Sequence, residues 1–413
     1  MSSPVTRAVR PRLLCAVLVF SQVALAAEPD CTTINRKNLV ACAEAHSPLL
    51  GAALGSVRAA EGRREAARPF LPANPFVSGT FAARNGADMR ALNWSVTVAQ
   101  ELELAGQSGL RVDAADRELA ARGHEAAVVR ADIAERVWRA WFDALAAKER
   151  VALASRIEQS CLAVSKTASG FATQGLASPI DAAVADAVAV RAGRARLDAQ
   201  RDSVTAEVRL RTLIGNVGRV ELEGELEPLN APGNEVMRPE LLALEAQHRA
   251  SAARVELMRR SVVPNATVSL FAQNDGFDEK VFGGGLAVPI PLPVPLGRYR
   301  EGQESVGQAA RAQSDLENAT RTLDSEKELA RAEFQSALES RQFFTVERVT
   351  RAREGLGAIE QQVAAARLSV REALADQLVL IELLQSALDA RQTLCAASVR
   401  LVRASGGSLE GSL

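Results

Sequence analysis

Tyrosine occurs once in this chain, tryptophan and histidine three times each, and after Pro295 there is no proline at all. Aromatic residues are scarce in a chain that is 47% apolar, and alanine supplies much of the difference. A composition rich in Ala, Leu, Glu and Arg predicts long helices packed closely through small side chains. His46, His124 and His248 are scattered, and no phosphate loop, Gly-x-Ser-x-Gly elbow or paired-carboxylate arrangement stands out. No enzyme activity, cofactor or tightly held metal is therefore expected. The formal net charge of -1 and the lack of like-charge blocks argue against a nucleic-acid partner. Beyond the N-terminus no apolar run is long enough to cross a bilayer as a helix, so any spanning part has to be strands closed into a barrel.

Cysteine is also sparse. Cys31 and Cys42 are close enough in sequence to pair in an oxidising compartment, and no CxxC metal spacing is present. Cys161 and Cys395 fall at different heights along the predicted helices and are not expected to bond to each other.

The N-terminus carries Arg7, Arg10 and Arg12, a short apolar run from Leu13, and Ala24-Leu25-Ala26. That pattern describes a secretory signal peptide cut after Ala26. The rest reads as one unit copied twice, since Asn74 and Asn265, Gly106 and Gly297, and Asp198 and Asp389 sit in similar contexts, each pair 191 residues apart. The expected division is a signal peptide over 1–26, a first repeat over 27–215, a connector over 216–239, a second repeat over 240–405 and a flexible tail over 406–413.

Each unit reads as a helix, two strands, a very long helix, a short break and another helix. Ser47-Pro48 starts the first helix, and Glu240 to Arg260 is its second copy. In "LNWSVTVAQELEL" the positions Leu92, Trp94, Val96, Val98, Leu102 and Leu104 share one face, interrupted by Gln100, against a mostly polar opposite face that includes Glu101 and Glu103. Its counterpart is expected to run from Phe282 to Leu296, with Pro289, Pro291, Pro293 and Pro295 all turned to one side. Strands of this length suit a tilted bilayer crossing, and four cannot close a barrel, so several copies have to share one. From Gln107 to about Gly170 a proline-free helix on the order of 95 Å long is predicted, with Trp138 and Trp141 as packing residues. Gly170 and Gly175 mark its end and Ser178-Pro179 a fresh start. The second copy lacks the glycine and carries a capping pair, Ser369 and Glu372.

Signal peptide, tandem repeat and strand pairs leading into long helical hairpins resemble the TolC-type outer membrane factors over nearly the whole mature chain. The stretches "VAQELELAGQSGLRVDAA" and "VPIPLPVPLGRYREG" are similar to the strand-to-helix transitions of the heavy-metal branch of that family. The resemblance implies a mainly α protomer with a transmembrane β portion. Three copies would share a twelve-stranded barrel in the outer membrane above an α-helical tunnel through the periplasm. It implies a homotrimer in contact with outer membrane lipid, a periplasmic membrane-fusion adaptor, an inner-membrane pump of the RND type, and passive conduction of cargo, heavy-metal cations for this branch. Gly106, the four prolines and Gly297 would mark the barrel-to-tunnel transition. Gln174-Gly175-Leu176 matches the family's adaptor-docking tip, with Ala366-Arg367-Leu368 and Ser369 at the second tip. Asp181, Asp186, Glu372 and Asp376 are candidate gate carboxylates, and Glu101 and Glu103 candidate lumen residues. The competing readings are a duct for drugs or proteins and a soluble periplasmic coiled-coil scaffold.

Overall fold

A computed structural model describes residues 31–85, 90–215, 218, 220–230, 236–274, 279–290 and 299–409. The expected signal peptide lies outside these residues. The described residues begin with a short strand β1 (Thr33–Ile34) and helix α1 (Leu39–Ala45), joined by a Cys31–Cys42 disulfide. Then come α2 (Pro48–Ala67), β2 (Phe76–Asn85), β3 (Arg90–Leu102), α3 (Gln107–Thr173) and α4 (Pro179–Leu213). The connector holds β4 (Glu221–Leu222), which pairs in parallel with β1. The second series is α5 (Pro239–Ser261), β5 (Ala266–Asn274), β6 (Lys280–Ala287), α6 (Tyr299–Gln342), α7 (Val346–Ala364) and α8 (Val370–Ala404). Both ends of α8 stand 191 residues beyond those of α4.

α3 has 67 residues and spans about 100 Å. It has no proline, and buried alanines such as Ala114, Ala121, Ala134 and Ala168 let neighbouring backbones approach closely. Along its length it packs against α2, α5, α4 and α8 in turn. Gly170 does not stop it, because a single glycine in a helix interior weakens a long ladder without breaking it.

The main core gathers around Trp138, Trp141 and Phe142 near the middle of α3. The two indoles meet edge to face at 5.4 Å, and Trp138 Nε1 donates to the carbonyl of Leu409 at 2.9 Å. α1, the connector and the chain's C-terminal end converge here. Leu409 is buried, so the tail expected to be free is docked as far as that residue; the indole N–H needs an acceptor and the tail supplies it. Cys161 and Cys395 are free and buried, as their different heights predict, and burial pushes the Cys395 thiol up to about 12. A nearly buried Arg403 pairs with Asp132 at 2.7 Å and with Glu240, whose other partner Arg238 also reaches Glu326. This network ties α3, α5, α6 and α8 together.

Two further expectations change. The second long helix is not continuous: it breaks at residues 343–345, where the Thr345 side chain accepts from the Arg348 amide and so offers the backbone an alternative to the helical ladder. The last strand ends at Ala287 rather than reaching Leu296 among the described residues. Pro289 follows two residues later, and a proline has no N–H to extend a ladder.

Candidate functional site: sheet faces, junction and hairpin tips

The four longer strands form one antiparallel sheet in the order β2-β3-β5-β6. Its register fixes two unlike faces. Val98 lies opposite Val77 on one side and Leu270 on the other, Trp94 lies opposite Phe81, and Val268 opposite Leu286. The face holding Leu92, Trp94, Val96 and Val98 therefore continues across all four strands, and Val77, Phe81, Leu92, Leu270, Phe282 and Leu286 are exposed on it. Gln100, which interrupts this face in β3, donates to the Ala73 carbonyl at 2.9 Å. The opposite face carries Thr80, Ser95, Thr97, Glu101, Thr267 and Ser269, with Thr80 and Ser95 sharing a 2.7 Å hydrogen bond. Among the described residues no helix packs extensively on either face.

The polar face leads into the junction with α3. Glu101 accepts from Asn265 Nδ2 at 2.8 Å. Glu103 lies past the end of β3 and its carboxylate is ion-paired to Arg111, so it acts as a clamp at the foot of the strand. Gly106 turns the chain there with φ of 70°, a conformation that suits a residue without a Cβ. The next residue, Gln107, is buried: its oxygen accepts from the Ala105 amide at 2.8 Å and its nitrogen donates to the Val263 carbonyl at 3.1 Å. It thus ties the strand-to-helix junction of the first repeat to the α5–β5 connection of the second. Pro289 is exposed beyond β6. Pro291, Pro293, Pro295 and Gly297 lie outside the described residues.

At the far end each repeat closes a helical hairpin. The Leu176 amide donates to the Phe171 carbonyl at 2.8 Å, and the Arg367 amide to the Gln362 carbonyl at 2.9 Å. Gly175 (φ 73°) and Ala366 (φ 54°) hold the left-handed position, and Ser178 and Ser369 cap the following helices. The two turns have one backbone. This corrects the expected correspondence by one residue, because the left-handed residue fixes the register: Ala365-Ala366-Arg367, not Ala366-Arg367-Leu368, stands opposite Gln174-Gly175-Leu176. Leu368 and Ser369 correspond to Ala177 and Ser178. Leu368 is partly buried, while Leu176 is exposed.

The acidic residues near the tips do not gather into one cluster. Asp181 accepts from Arg371 at 3.2 Å, joining the two hairpins. Glu372 completes the expected capping box with Ser369, and those hydrogen bonds hold its carboxyl below the usual range. Asp186 and Asp376 are exposed on α4 and α8. Among the described residues no three His, Cys, Asp or Glu side chains group to hold a metal ion.

Two features escaped the reading of the sequence. Glu118 on α3 takes Arg63 of α2 at 2.9 Å and Arg254 of α5 at 2.6 Å. Those arginines stand 191 residues apart, so the repeat itself held the signal. In addition, Val190, Leu197, Val204 and Val208 form an exposed stripe on α4, whereas Leu388, Cys395 and Val399, at the matching positions of α8, are buried. α8 packs against α3, α6 and α7; α4 packs chiefly on α3.

Comparison with known proteins follows the same lines. Residues 39–216 match the model of the family described as outer membrane efflux protein. The cobalt-zinc-cadmium resistance protein CzcC of Cupriavidus metallidurans is 30% identical over 204 residues, 46% of this chain and 48% of that protein. The match therefore spans about half the length of that relative. Among solved structures, the outer membrane protein VceC of Vibrio cholerae superposes with a TM-score of 0.74 at 17% identity, covering 91% of this chain and 96% of that one. CusC gives 0.71 at 15% identity, covering 90% and 92%. At these identities the likeness is one of fold. The match to the outer membrane efflux protein model falls within the first repeat and covers less than half of the chain.

Proposed function

We propose that the protein is the outer-membrane exit duct of a tripartite efflux system, passing cargo received from an inner-membrane pump and a periplasmic adaptor without chemistry of its own. The observation that carries this reading is the four-stranded sheet, apolar and uncovered on one face, polar on the other, and open at β2 and β6. A lone open sheet with that surface is unsuited to water or bilayer, and closure with further copies removes both edges. Three copies supply twelve strands, with the apolar face toward lipid and Glu101 toward the lumen. The exposed stripe on α4 supports the same assembly. Its counterpart on α8 is covered within the chain, so a neighbouring copy is the natural cover for α4. Asp186 and Asp376, free on the same helices, remain candidates for a cation-favouring constriction.

The cargo reading is heavy-metal cations, supported by the likeness to a cobalt-zinc-cadmium resistance protein. Fractionation with a detergent-solubilised mass, and unheated beside heated gels, tests the duct. The expected species is an outer-membrane trimer that dissociates on heating, and a soluble periplasmic monomer or dimer would overturn the reading. Loss of cobalt, zinc or cadmium tolerance in a deletion strain tests the cargo.

A further inference from the structure

The two hairpin ends of one protomer share a backbone but not a surface. Where the α3–α4 end exposes Leu176 (69%) and Ile180 (71%), the α7–α8 end places Arg367 and Arg371 at the matching positions. The acidic residue beside them is common to both ends, as Asp181 and Glu372, so the arginines account for the difference. Neither carboxylate cancels them. Glu372 is occupied by its capping box with Ser369, and Asp181 reaches Arg371, whose side chain still remains 81% exposed. Arg367 makes no ion pair among the described residues. Val184 extends the apolar patch at the first end, and Ala375 stands at its place in the second.

We infer that the two ends dock the same class of partner through different chemistry, the α3–α4 end taking an apolar side chain and the α7–α8 end a carboxylate. The inference rests on the duct reading, in which the partner is a periplasmic adaptor presenting helical ends to the tunnel mouth. Charge complementarity commits the second end. Two exposed guanidiniums on a rigid turn match a carboxylate in bidentate geometry, whereas water competes poorly for the leucine and isoleucine of the first. In a closed ring the two kinds of end alternate, so successive adaptor contacts differ in their response to salt: a screened ion pair weakens and an apolar contact does not.

Binding of the purified periplasmic adaptor of the system to the detergent-solubilised trimer, measured at low and high salt, tests this. Arg367→Glu with Arg371→Glu is expected to weaken binding about tenfold at low salt and to reverse the salt dependence, since added salt then screens a repulsion. An adaptor with lysine in place of its end carboxylates should restore binding. Leu176→Ser with Ile180→Ser should weaken binding while leaving the salt dependence intact. The milder pair Arg367→Gln and Arg371→Gln, with trimer mass as a check on assembly, guards against a disrupted turn. Unchanged binding after the arginine reversal, or one salt response for both pairs, overturns the inference and leaves the duct standing. A wild-type trimer that binds no adaptor sinks the duct reading itself.

Discussion

Ala366 shows how firmly a repeat can impose a backbone on a side chain that resists it. With φ of 54° it holds a conformation in which a Cβ crowds the following carbonyl, and Gly175 holds the same position without that cost. Gly175→Ala should lower stability by about 1 kcal/mol, while Ala366→Gly should raise it by at most about 1 kcal/mol, since the gain is offset by added freedom in the unfolded chain. Thermal melts of the two variants check this. Glu118 acts at the same scale. Burial pushes its carboxyl up, but the hydrogen bond and charge of Arg254, with Arg63 and Arg122, outweigh that and hold it below the usual range. A carboxyl lowered in the folded state stabilises at pH above its unfolded value, and that stability is lost as pH falls through the lowered one. Glu118→Gln should cost about 1–3 kcal/mol at neutral pH and flatten the acid limb of the stability profile, read from denaturant midpoints across pH. The capping box at Ser369 and Glu372 was legible because its partners are three residues apart. Glu118 was missed, since its arginines lie 55 and 136 residues away and the only hint of them in sequence is that they occupy matching positions of the two repeats.

Among the elements, alternation made β3 legible almost to its last residue, and proline-free stretches outlined α3, α4 and α8. The break between α6 and α7 carries neither proline nor glycine, and a threonine cap in "QFFTVERV" looks in sequence like any other exposed threonine. What decides there is competition between a side-chain hydrogen bond and one more helical rung, a contest too close for composition to settle. The disulfide is a different sort of constraint. It closes the turn that carries β1 onto β4 and α1 onto α3, at the point where the chain enters the main core. Cys42→Ser should lower stability by about 2–3 kcal/mol, measured as a shift in denaturant midpoint that reductant reproduces in the wild type and leaves unchanged in the variant.

For the whole molecule, duplication explains why so much of the fold was readable and also why part of it was not. α4 and α8 have the same length and the same kind of cap, yet one is covered and the other bare, because burial depends on which neighbour each copy meets. No property of either helix alone encodes that. The sheet carries a consequence for the life of the chain before assembly. A lone copy exposes Phe81, Leu92 and Phe282 on one side and, among the described residues, leaves both β2 and β6 without an outer neighbour, a template on which any extended peptide can add. Under the proposed duct function, newly made copies are thus a hazard to one another on the way to the outer membrane: they would need escort across the aqueous space, and synthesis that outruns insertion would yield aggregate rather than a reserve of subunits.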